Sequence, residues 1–541
     1  MDTKVAIIGG GFSGIYALKY CVQEKLKCKL FESSDSIGGV WKYNKNKSGG
    51  VLKNTYASSS ITFLHPTDYP FPNDTPEFPH HSVIYNHLID YVKYFDLNQY
   101  IQLNTNITHI IKKNNKWIVN YLKNDINVTE LFDKLIICTG IHQNINIPND
   151  INFNDFDKKK IIHSHYYEKN REKFKGKNIM VIGGGETAHD IACDLSTISN
   201  KVYMSIRKGQ WFLGKIASSY ETMDLYFNRY MNTIWCKPFA KWIGFLNEFI
   251  LGKGGTGVEK WKPNSTYGDS FLTKGREILL WIAKGRIIPC SGITKIDNVD
   301  IHCHNDIINC DYIILCTGYN NSHLEKLLPN IDYNKNKYKL IFDPDDTSLS
   351  YCGFIRPYIT SIVLVSELQA RLISKIYSNK TVLPDKNSIM NTIKKDNDRR
   401  KSRFSEDYDR LNYLINPYTY CDEISNLIGC KPNMFKLFFT NHRLWRTLFF
   451  FPWSQFHYTI NSDNERAKKI SIEQLEKIRN SIAGKRLKHL SNIGTICVSI
   501  IILIMIGILI GIVFGFVYGF KKIGPYMVQA FSILMLLIIP L

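Results

Sequence analysis

The chain has 541 residues, 44% of them hydrophobic and 13% aromatic, so about three domains are expected and disorder is not the default. Its formal charge of +20 admits nucleic acid, a membrane surface or a phosphorylated cofactor as partner, but no zinc-finger spacing or basic arm favours nucleic acid. Thirteen cysteines form no CxxC pair, which excludes a thioredoxin-like redox pair and argues for reduced thiols on the cytosolic side. Met1 to Lys4 runs straight into the first strand, so no cleavable signal peptide is expected.

That strand, Val5 to Ile8, turns at Gly9-Gly10-Gly11-Phe12-Ser13-Gly14 and becomes a helical pattern through Tyr20. A second strand-like run, Cys28 to Phe31, ends at Glu32, eighteen positions after Gly14. This is the GxGxxG dinucleotide fingerprint in its full strand–helix–strand context. Gly9 allows the turn, Gly11 lets backbone approach a pyrophosphate, and Gly14 lets helix and strand pack closely. The helix N-terminus offers N–H groups and a positive dipole end to phosphate. Glu32 is placed to accept from a ribose hydroxyl. Gly39 and Trp41 follow in Gly38-Gly39-Val40-Trp41.

Leu52 to Pro72 contains Pro66, Pro70 and Pro72 and reads as a loop, the kind of segment that carries a site when a scaffold holds it. Tyr85 to Phe95 reads as a helix and Ile101 to Tyr121 as strands. Leu135 to Gly140 is a buried strand ending Cys138-Thr139-Gly140, which closes a first lobe of residues 1–150.

A second lobe, residues 151–320, repeats the device. Strand Ile179 to Ile182 leads into Gly183-Gly184-Gly185-Glu186-Thr187-Ala188, with Ala188 in the last place of the motif. The next strand, Lys201 to Ile206, includes Ser205 and ends in Arg207-Lys208, with no acid in the place of Glu32. Cations without the acid suit a 2′-phosphate, hence NADPH rather than NADH, with Arg207 as the planar phosphate ligand. Trp211 to Leu251 reads as an aromatic-rich helical stretch inside an insertion of about 211–270, and Gly252 to Tyr267 as a glycine-rich loop. Tyr312 to Tyr319 then echoes the first lobe's exit strand with Cys316-Thr317-Gly318. Residues 321–466 return to the first lobe, with Lys394 to Arg403 as a solvated helix face.

Ala467 to Leu490 is amphipathic: Ile470, Leu475, Ile478 and Ile482 share a face, and Ser471 with Gln474 suggests a capping box. Ile493 to Phe520 has no charge in 28 residues and is read as a transmembrane helix. Lys521-Lys522 interrupt, and Ile523 to Leu541 is read as a second span, a re-entrant segment or an interfacial helix. Gly507, Gly511, Gly515 and Gly519 form a stripe that a second helix, or a second copy of the chain, could approach.

With both fingerprints, Arg207 and the apolar C-terminal run in view, the chain resembles the flavin-containing monooxygenases of the membrane-bound, multisubstrate, N,N-dimethylaniline-oxidising type. His163 and Tyr167 match the second half of that family's FxGxxxHxxxY signature. Phe156 lies one residue too far upstream, and lysine stands where glycine is expected. Tyr167 sets the chain apart from Baeyer–Villiger monooxygenases, which carry tryptophan there. Cys316 to Tyr319 matches the ATGY element, Asp68 to Pro72 the DFPFP stretch and Glu367 to Arg371 the ElQaR stretch.

The resemblance implies two Rossmann-like α/β domains, FAD on Gly9, Gly11, Gly14 and Glu32, NADPH on Gly183, Gly185 and Arg207, and cofactor contacts also from Gly39, Trp41, Ala188, Ser205, Thr317 and Gly318. It further implies a C4a-hydroperoxyflavin, formed with O2, that oxygenates a soft nitrogen or sulfur nucleophile, and no metal. The family's asparagine beside the flavin stands ten residues before the aspartate of DFPFP. An ungapped count from Asp68 gives Ser58 as the candidate catalytic residue; Asn54 fits only with a four-residue gap. Serine lacks the two amide donors of asparagine. A flavin- and NADPH-dependent oxidase or reductase that releases peroxide is therefore the second reading, and a redox-silent membrane-tethered binding protein the third. The expected location is the endoplasmic reticulum or a similar internal membrane, with the catalytic lobes in the cytosol. Lys485, Arg486 and Lys488 before the span favour that orientation, and Lys521 and Lys522 oppose it.

Overall fold

The computed structural model describes residues 3–44, 50–123, 125–216, 221–234, 245, 249, 252–264, 272–304, 306–403, 413–462, 464–481, 483–488, 491 and 492. Two parallel sheets organise them, each built by the same local logic. In the first, β1 (Lys4–Ile8) passes through glycines into α1 (Phe12–Gln23), and β2 (Lys27–Phe31) returns beside it with Ile8 facing Phe31. The short β3 (Ile101–Gln102) extends that edge. A three-stranded antiparallel meander follows: β4 (Thr105–Lys113), β5 (Lys116–Lys123) and β6 (Ile126–Phe132). Then β7 (Lys134–Ile137) joins the sheet on the other side of β1, Ile137 facing Ile8. From far along the chain, β20 (Leu349–Tyr351) closes it, giving the order β20-β7-β1-β2-β3.

The chain crosses at β8 (Asn144–Ile145), and β9 (Ile161–His163) opens the second sheet. There β10 (Asn178–Ile182), α3 (Glu186–Leu195) and β11 (Lys201–Ser205) repeat the first unit, with α2 (His81–Tyr94) having preceded them in the first lobe. After β12 (Phe212–Leu213), β13 (Thr273–Lys274) and α4 (Ile278–Ala283), β14 (Ile287–Cys290) pairs with β11. Another antiparallel meander, β15 (Lys295–Asp297), β16 (Asp300–Cys303) and β17 (Asp306–Asn309), precedes β18 (Tyr312–Leu315), which lies beside β10. The order is β14-β11-β10-β18-β9. β19 (Tyr319–Asn320) pairs with β8, so the two strands that carry the chain between lobes run antiparallel, Tyr319 against Ile145.

The central strand of each sheet is covered on both faces, which is why Val5 to Ile8 of β1 and Ile179 to Ile182 of β10 are apolar at every position. Val5 and Ile7 face a core with Ile15 and Leu88 of the helices, while Ala6 and Ile8 face Trp117 and Val119 of the meander. In the second lobe Ile179 and Val181 face Ile191 and Leu195, and Met180 and Ile182 face Ile301 and Ile308. The chain then returns to the first lobe: α5 (Ile362–Tyr377) contributes Val365, Leu368 and Leu372 to the same core as α1, joined by α7 (Pro417–Ile428). Between them α6 (Lys386–Arg403) is largely solvated but buries Ile389 and Ile393.

Two expectations are corrected. Trp211 to Leu251 is not one helical stretch among its described residues: Phe212 pairs with Thr273, Met223–Tyr226 is a 3-10 turn, and the helix there is Arg229–Ile234. Partner strand β13 lies across a long insertion, which local periodicity cannot register. The amphipathic helix starts earlier than expected. α9 (Glu465–Asn480), which packs Leu475 and Ile478 onto Leu448 and Phe456 of the preceding α8 (His442–Phe450) and its exit turn, is capped by Asn464. The Asn464 side chain accepts from the Ala467 N–H at 3.1 Å, and Ser471 is mid-helix, its hydroxyl donating to the Ala467 carbonyl. Among the described residues no helix is long and apolar enough to cross a membrane. Residues 493–520 and 523–541, and Ile482, lie outside the described residues.

Candidate functional site

Both glycine turns press against the strand that leaves their lobe. Gly9, at φ +110°, has no room for a side chain: a Cβ would lie 2.6 Å from the Cys138 carbonyl oxygen. A Cβ on Gly14 would lie 1.8 Å from the Gly9 carbonyl oxygen, so only glycine lets α1 sit this close to β1. Gly11 faces Gly39 across a bare groove, the nearest atom to its missing Cβ being Gly39 Cα at 3.6 Å. No side chain caps α1, so its first N–H groups stay free for a ligand. Glu32 is buried at the end of β2, where Oε2 accepts from the Gly10 N–H at 2.7 Å and Oε1 from the Ser34 N–H at 2.8 Å. Trp41 lies in the 3-10 turn that begins at Gly39, beside this groove. A bare backbone cradle at an uncapped helix end, with an acid at its side, fits the pyrophosphate and ribose of FAD.

The second unit matches position by position. Gly183, at φ +137°, would put a Cβ 2.4 Å from the Cys316 carbonyl oxygen. α3 also lacks a side-chain cap, beginning after Gly185. Ala188, fully buried, takes the place of Gly14. Because β10 and β11 pair as β1 and β2 do, Ile206 stands where Glu32 stands, and Gly184 packs on Ile206 as Gly10 packs on Glu32. The residue after it, Arg207, is more than half exposed and forms an ion pair with Asp150. Ser205 turns its hydroxyl to the Ser291 carbonyl at 2.7 Å. Thr317 donates to the Asn146 carbonyl, and the Gly318 carbonyl accepts from Asn146 N–H at 3.0 Å and lies 3.1 Å from His163 Nε2. An acid-free strand end with a cation beside it fits a 2′-phosphorylated dinucleotide.

Both cradles open onto one cleft of about 1730 Å³. Ser58 lines it, half-buried, with its hydroxyl 3.3 Å from Glu186 Oε2 at the start of α3. Asn54 is exposed on a turn four residues earlier and is not among the lining residues. The cleft also gathers residues that the sequence reading passed over. Lys274 reaches across from β13 to the Ser59 hydroxyl at 2.9 Å. Gly353 abuts Ser13, whose hydroxyl donates to Ser366 of α5. Thr360 holds φ +79°, a left-handed conformation that costs a β-branched residue strain, and Ser361 caps α5 by accepting from the Val363 N–H. A positive φ on threonine leaves no mark in a sequence, and neither does a contact between residues 215 positions apart.

The DFPFP-like and ElQaR-like stretches lie beneath the first cradle, in one buried polar network. Lys19 of α1 pairs with Asp68 at 2.5 Å, both almost fully buried. Glu367 accepts from the Thr67 N–H and hydroxyl and from Tyr20. Burial and the nearby Asp68 charge push the Glu367 carboxyl above its ordinary range. Gln369 accepts from the Gly353 N–H at 2.8 Å, which ties α5 to the turn after β20. These motifs hold the scaffold of the first cradle. His163 is likewise structural in its contacts: burial lowers it to about 4, so it is neutral. Tyr167 donates to Asp194 of α3 at 2.5 Å, which Arg171 also grips.

The sequence profile of the family described as flavin-binding monooxygenase-like matches residues 2–517. Dimethylaniline monooxygenase [N-oxide-forming] 2 of Pan troglodytes is 28% identical over 523 residues, covering 91% of this chain and 95% of that protein. Human flavin-containing monooxygenase 5 is 27% identical over 519 residues, 91% of this chain and 95% of its own. Among solved structures, S-allyl-L-cysteine S-oxygenase from Allium sativum superposes with a TM-score of 0.60 at 18% identity, covering 90% of this chain and 97% of that one.

Proposed function

The chain belongs to the flavin-binding monooxygenase-like family, and from that premise we propose that it places one oxygen atom on a soft nitrogen or sulfur nucleophile. It is an NADPH-dependent flavin monooxygenase that uses FAD and NADPH. The observation that supports two cofactors acting together is the one cleft onto which both uncapped helix ends open, lined also by Ser58; the nucleophile class is drawn from the relatives' names. The name of the Pan troglodytes relative, N-oxide-forming, supports a nitrogen substrate.

When bound, the flavin supplies hydride acceptance from NADPH and the activation of molecular oxygen. The protein's own part is binding and exclusion. Gly9, Gly11, Gly14, Gly39 and Trp41 shape the FAD cradle, and Glu32, already fixed by two backbone donors, offers its remaining lone pairs to a ribose. Gly183, Gly185 and Ala188 would admit the second pyrophosphate, and Thr317 and Gly318 line the same cleft. Arg207 exchanges Asp150 for the 2′-phosphate, a more highly charged anion. Ser58 and Ser59 line the cleft and would help shield it from water, which otherwise diverts oxygen to peroxide.

Measuring NADPH consumed, oxygen consumed and oxygenated product with a tertiary amine and with a thioether tests the proposal. Product matching NADPH one for one is expected with at least one of them. Peroxide matching NADPH with every nucleophile favours the oxidase reading, for which Ser58 in the family's asparagine position is the motive.

We also read residues 493–520 as the membrane anchor, with the lobes in the cytosol. The support is the charge-free run of 28 residues. A chain ending at Asn492 is expected to leave the membrane fraction with its FAD; retention in the membrane pellet would refute the anchor. The stripe from Gly507 to Gly519 is offered as a surface for a second helix or a second copy.

A further inference from the structure

We propose that Lys274 is a positioning residue that ties the flavin-side serines to the NADPH-side glycine turn, so that the occupied NADPH site holds the oxygenating side of the cleft closed. The inference rests on the monooxygenase reading and concerns what keeps peroxide release low when Ser58 replaces a two-donor amide.

Two adjacent serines of the first lobe each reach the second lobe at its glycine turn. Ser58 bonds Glu186, the first residue of α3. Ser59 accepts from the Lys274 ammonium. Lys274 is itself held to that turn. Its neighbour Thr273 is fully buried and donates its hydroxyl to the Gly184 carbonyl at 2.7 Å. The Thr273 N–H is given to Trp211 and the Gly275 N–H to Leu213, so β13 cannot slide without breaking both. On the other side, the Ser59 hydroxyl donates to the Thr360 carbonyl at 3.3 Å, immediately before the cap of α5. A continuous path therefore runs from Gly184 through Thr273, Lys274 and Ser59 to Thr360, the residue with the left-handed backbone. Glycine turn and α5 cap are the two rigid ends, and Lys274 is the one long, rotatable side chain between them. Its half-buried ammonium has three donors and a single charge, more than a serine can supply. Displacing the Gly184 loop when dinucleotide enters moves Thr273 directly, and Ser59 with it.

The test uses the full-length, FAD-loaded protein in four forms: wild type, Lys274→Met, Lys274→Arg and Ser59→Ala. NADP⁺ is titrated into the oxidised protein and followed by the change in the flavin absorbance spectrum, which needs no turnover. Peroxide released per NADPH is measured separately, without nucleophile. Lys274→Met is expected to bind NADP⁺ within about threefold of wild type, since the residue is not a phosphate ligand. It should lose most of the NADP⁺-induced flavin change and release peroxide about tenfold faster, the weight of one charged hydrogen bond. Lys274→Arg should restore both, and Ser59→Ala should reproduce the defect with the lysine intact. Wild-type behaviour in Lys274→Met and Ser59→Ala, or failure of arginine to restore, overturns the proposal. Should Lys274→Met not retain FAD, Ser59→Ala decides. If wild type releases one peroxide per NADPH with every nucleophile, the monooxygenase reading fails, while the flavin spectrum still decides the role of Lys274.

Discussion

The two glycine turns share a backbone and differ in chemistry. Each begins with a glycine at positive φ pressed on the carbonyl of a cysteine, Cys138 in one and Cys316 in the other. Each frees a helix end. Two of their differences bear on what each turn can hold. Where the first turn has Gly14 against the Gly9 carbonyl, the second has Ala188, so α3 stands far enough off to admit a methyl group. Where the first has buried Glu32 gripping the Gly10 N–H, the second has Ile206 packed on Gly184, with Arg207 exposed beyond it. Both lobes carry the backbone of a dinucleotide site, and our proposal is that the end of the second strand, Glu32 in one and Ile206-Arg207 in the other, sets which dinucleotide each takes.

The largest effect that would break this comparison is expected at Gly14. Gly14→Ala forces a methyl group onto the Gly9 carbonyl, and overpacking of this kind costs about 1–3 kcal/mol or more. Bound flavin per protein, read by absorbance, should fall at least tenfold. Ala188→Gly, the reciprocal change, should keep FAD and cost no more than about 1 kcal/mol of helix stability. Equal flavin loss in both would show that the turns are not distinguished by packing.

Next is Arg207→Ala. A charged contact to phosphate is worth about 1.5–3 kcal/mol, so the KM for NADPH should rise roughly tenfold to a hundredfold while that for NADH stays nearly constant. A parallel rise for both cofactors would mean that Arg207 serves only its ion pair with Asp150.

Acid should then separate the lobes. His65 and His87, buried in the first lobe, are lowered by burial to about 3 and about 4. The second lobe has His163, lowered to about 4, and His165, also lowered by burial, but it has His189 raised to about 11 as well: burial opposes its charge, and Asp190, Cys193 and Glu277 outweigh burial. A lowered histidine binds its proton in the unfolded state first, so stability is lost as pH falls from 6.5 towards 4, by about 1.4 kcal/mol per unit for each. His189 contributes in the opposite sense, fully below pH 6.5 and fading as pH rises towards 11. Amide exchange in β1 and α1 should therefore quicken before that in β10 and α3 between pH 6 and 4.5. The reverse order would refute the assignment of these charges.

The smallest effect is expected between the lobes. Ser58→Ala should raise peroxide released per NADPH about threefold, the scale of one weak hydrogen bond such as its 3.3 Å contact to Glu186, and Asn54→Ala should leave it unchanged. If Asn54→Ala is the leaky variant, the ungapped count from Asp68 is the wrong register.

Much of the scaffold was legible beforehand. The glycine spacings, the apolar strands that precede them and the two Cys-Thr-Gly exits are constrained by neighbours a few residues away: only glycine takes φ +110° beside a carbonyl, and only a strand buried on both faces is apolar at every position. The acid at 32 and its absence at 206 could be read for the same reason, because one strand–helix–strand unit fixes their distance from the turn. Tertiary structure alone decided what lies between the lobes. Ser58 meets Glu186 across 128 positions and Ser59 meets Lys274 across 215, and Phe212 leaves a helix-like stretch to pair with Thr273. Asn464 rather than Ser471 caps α9. A sequence sets what each residue can donate, accept or bury. Which partner it finds depends on how the two lobes are brought together around one cleft, and local patterning carries no term for that.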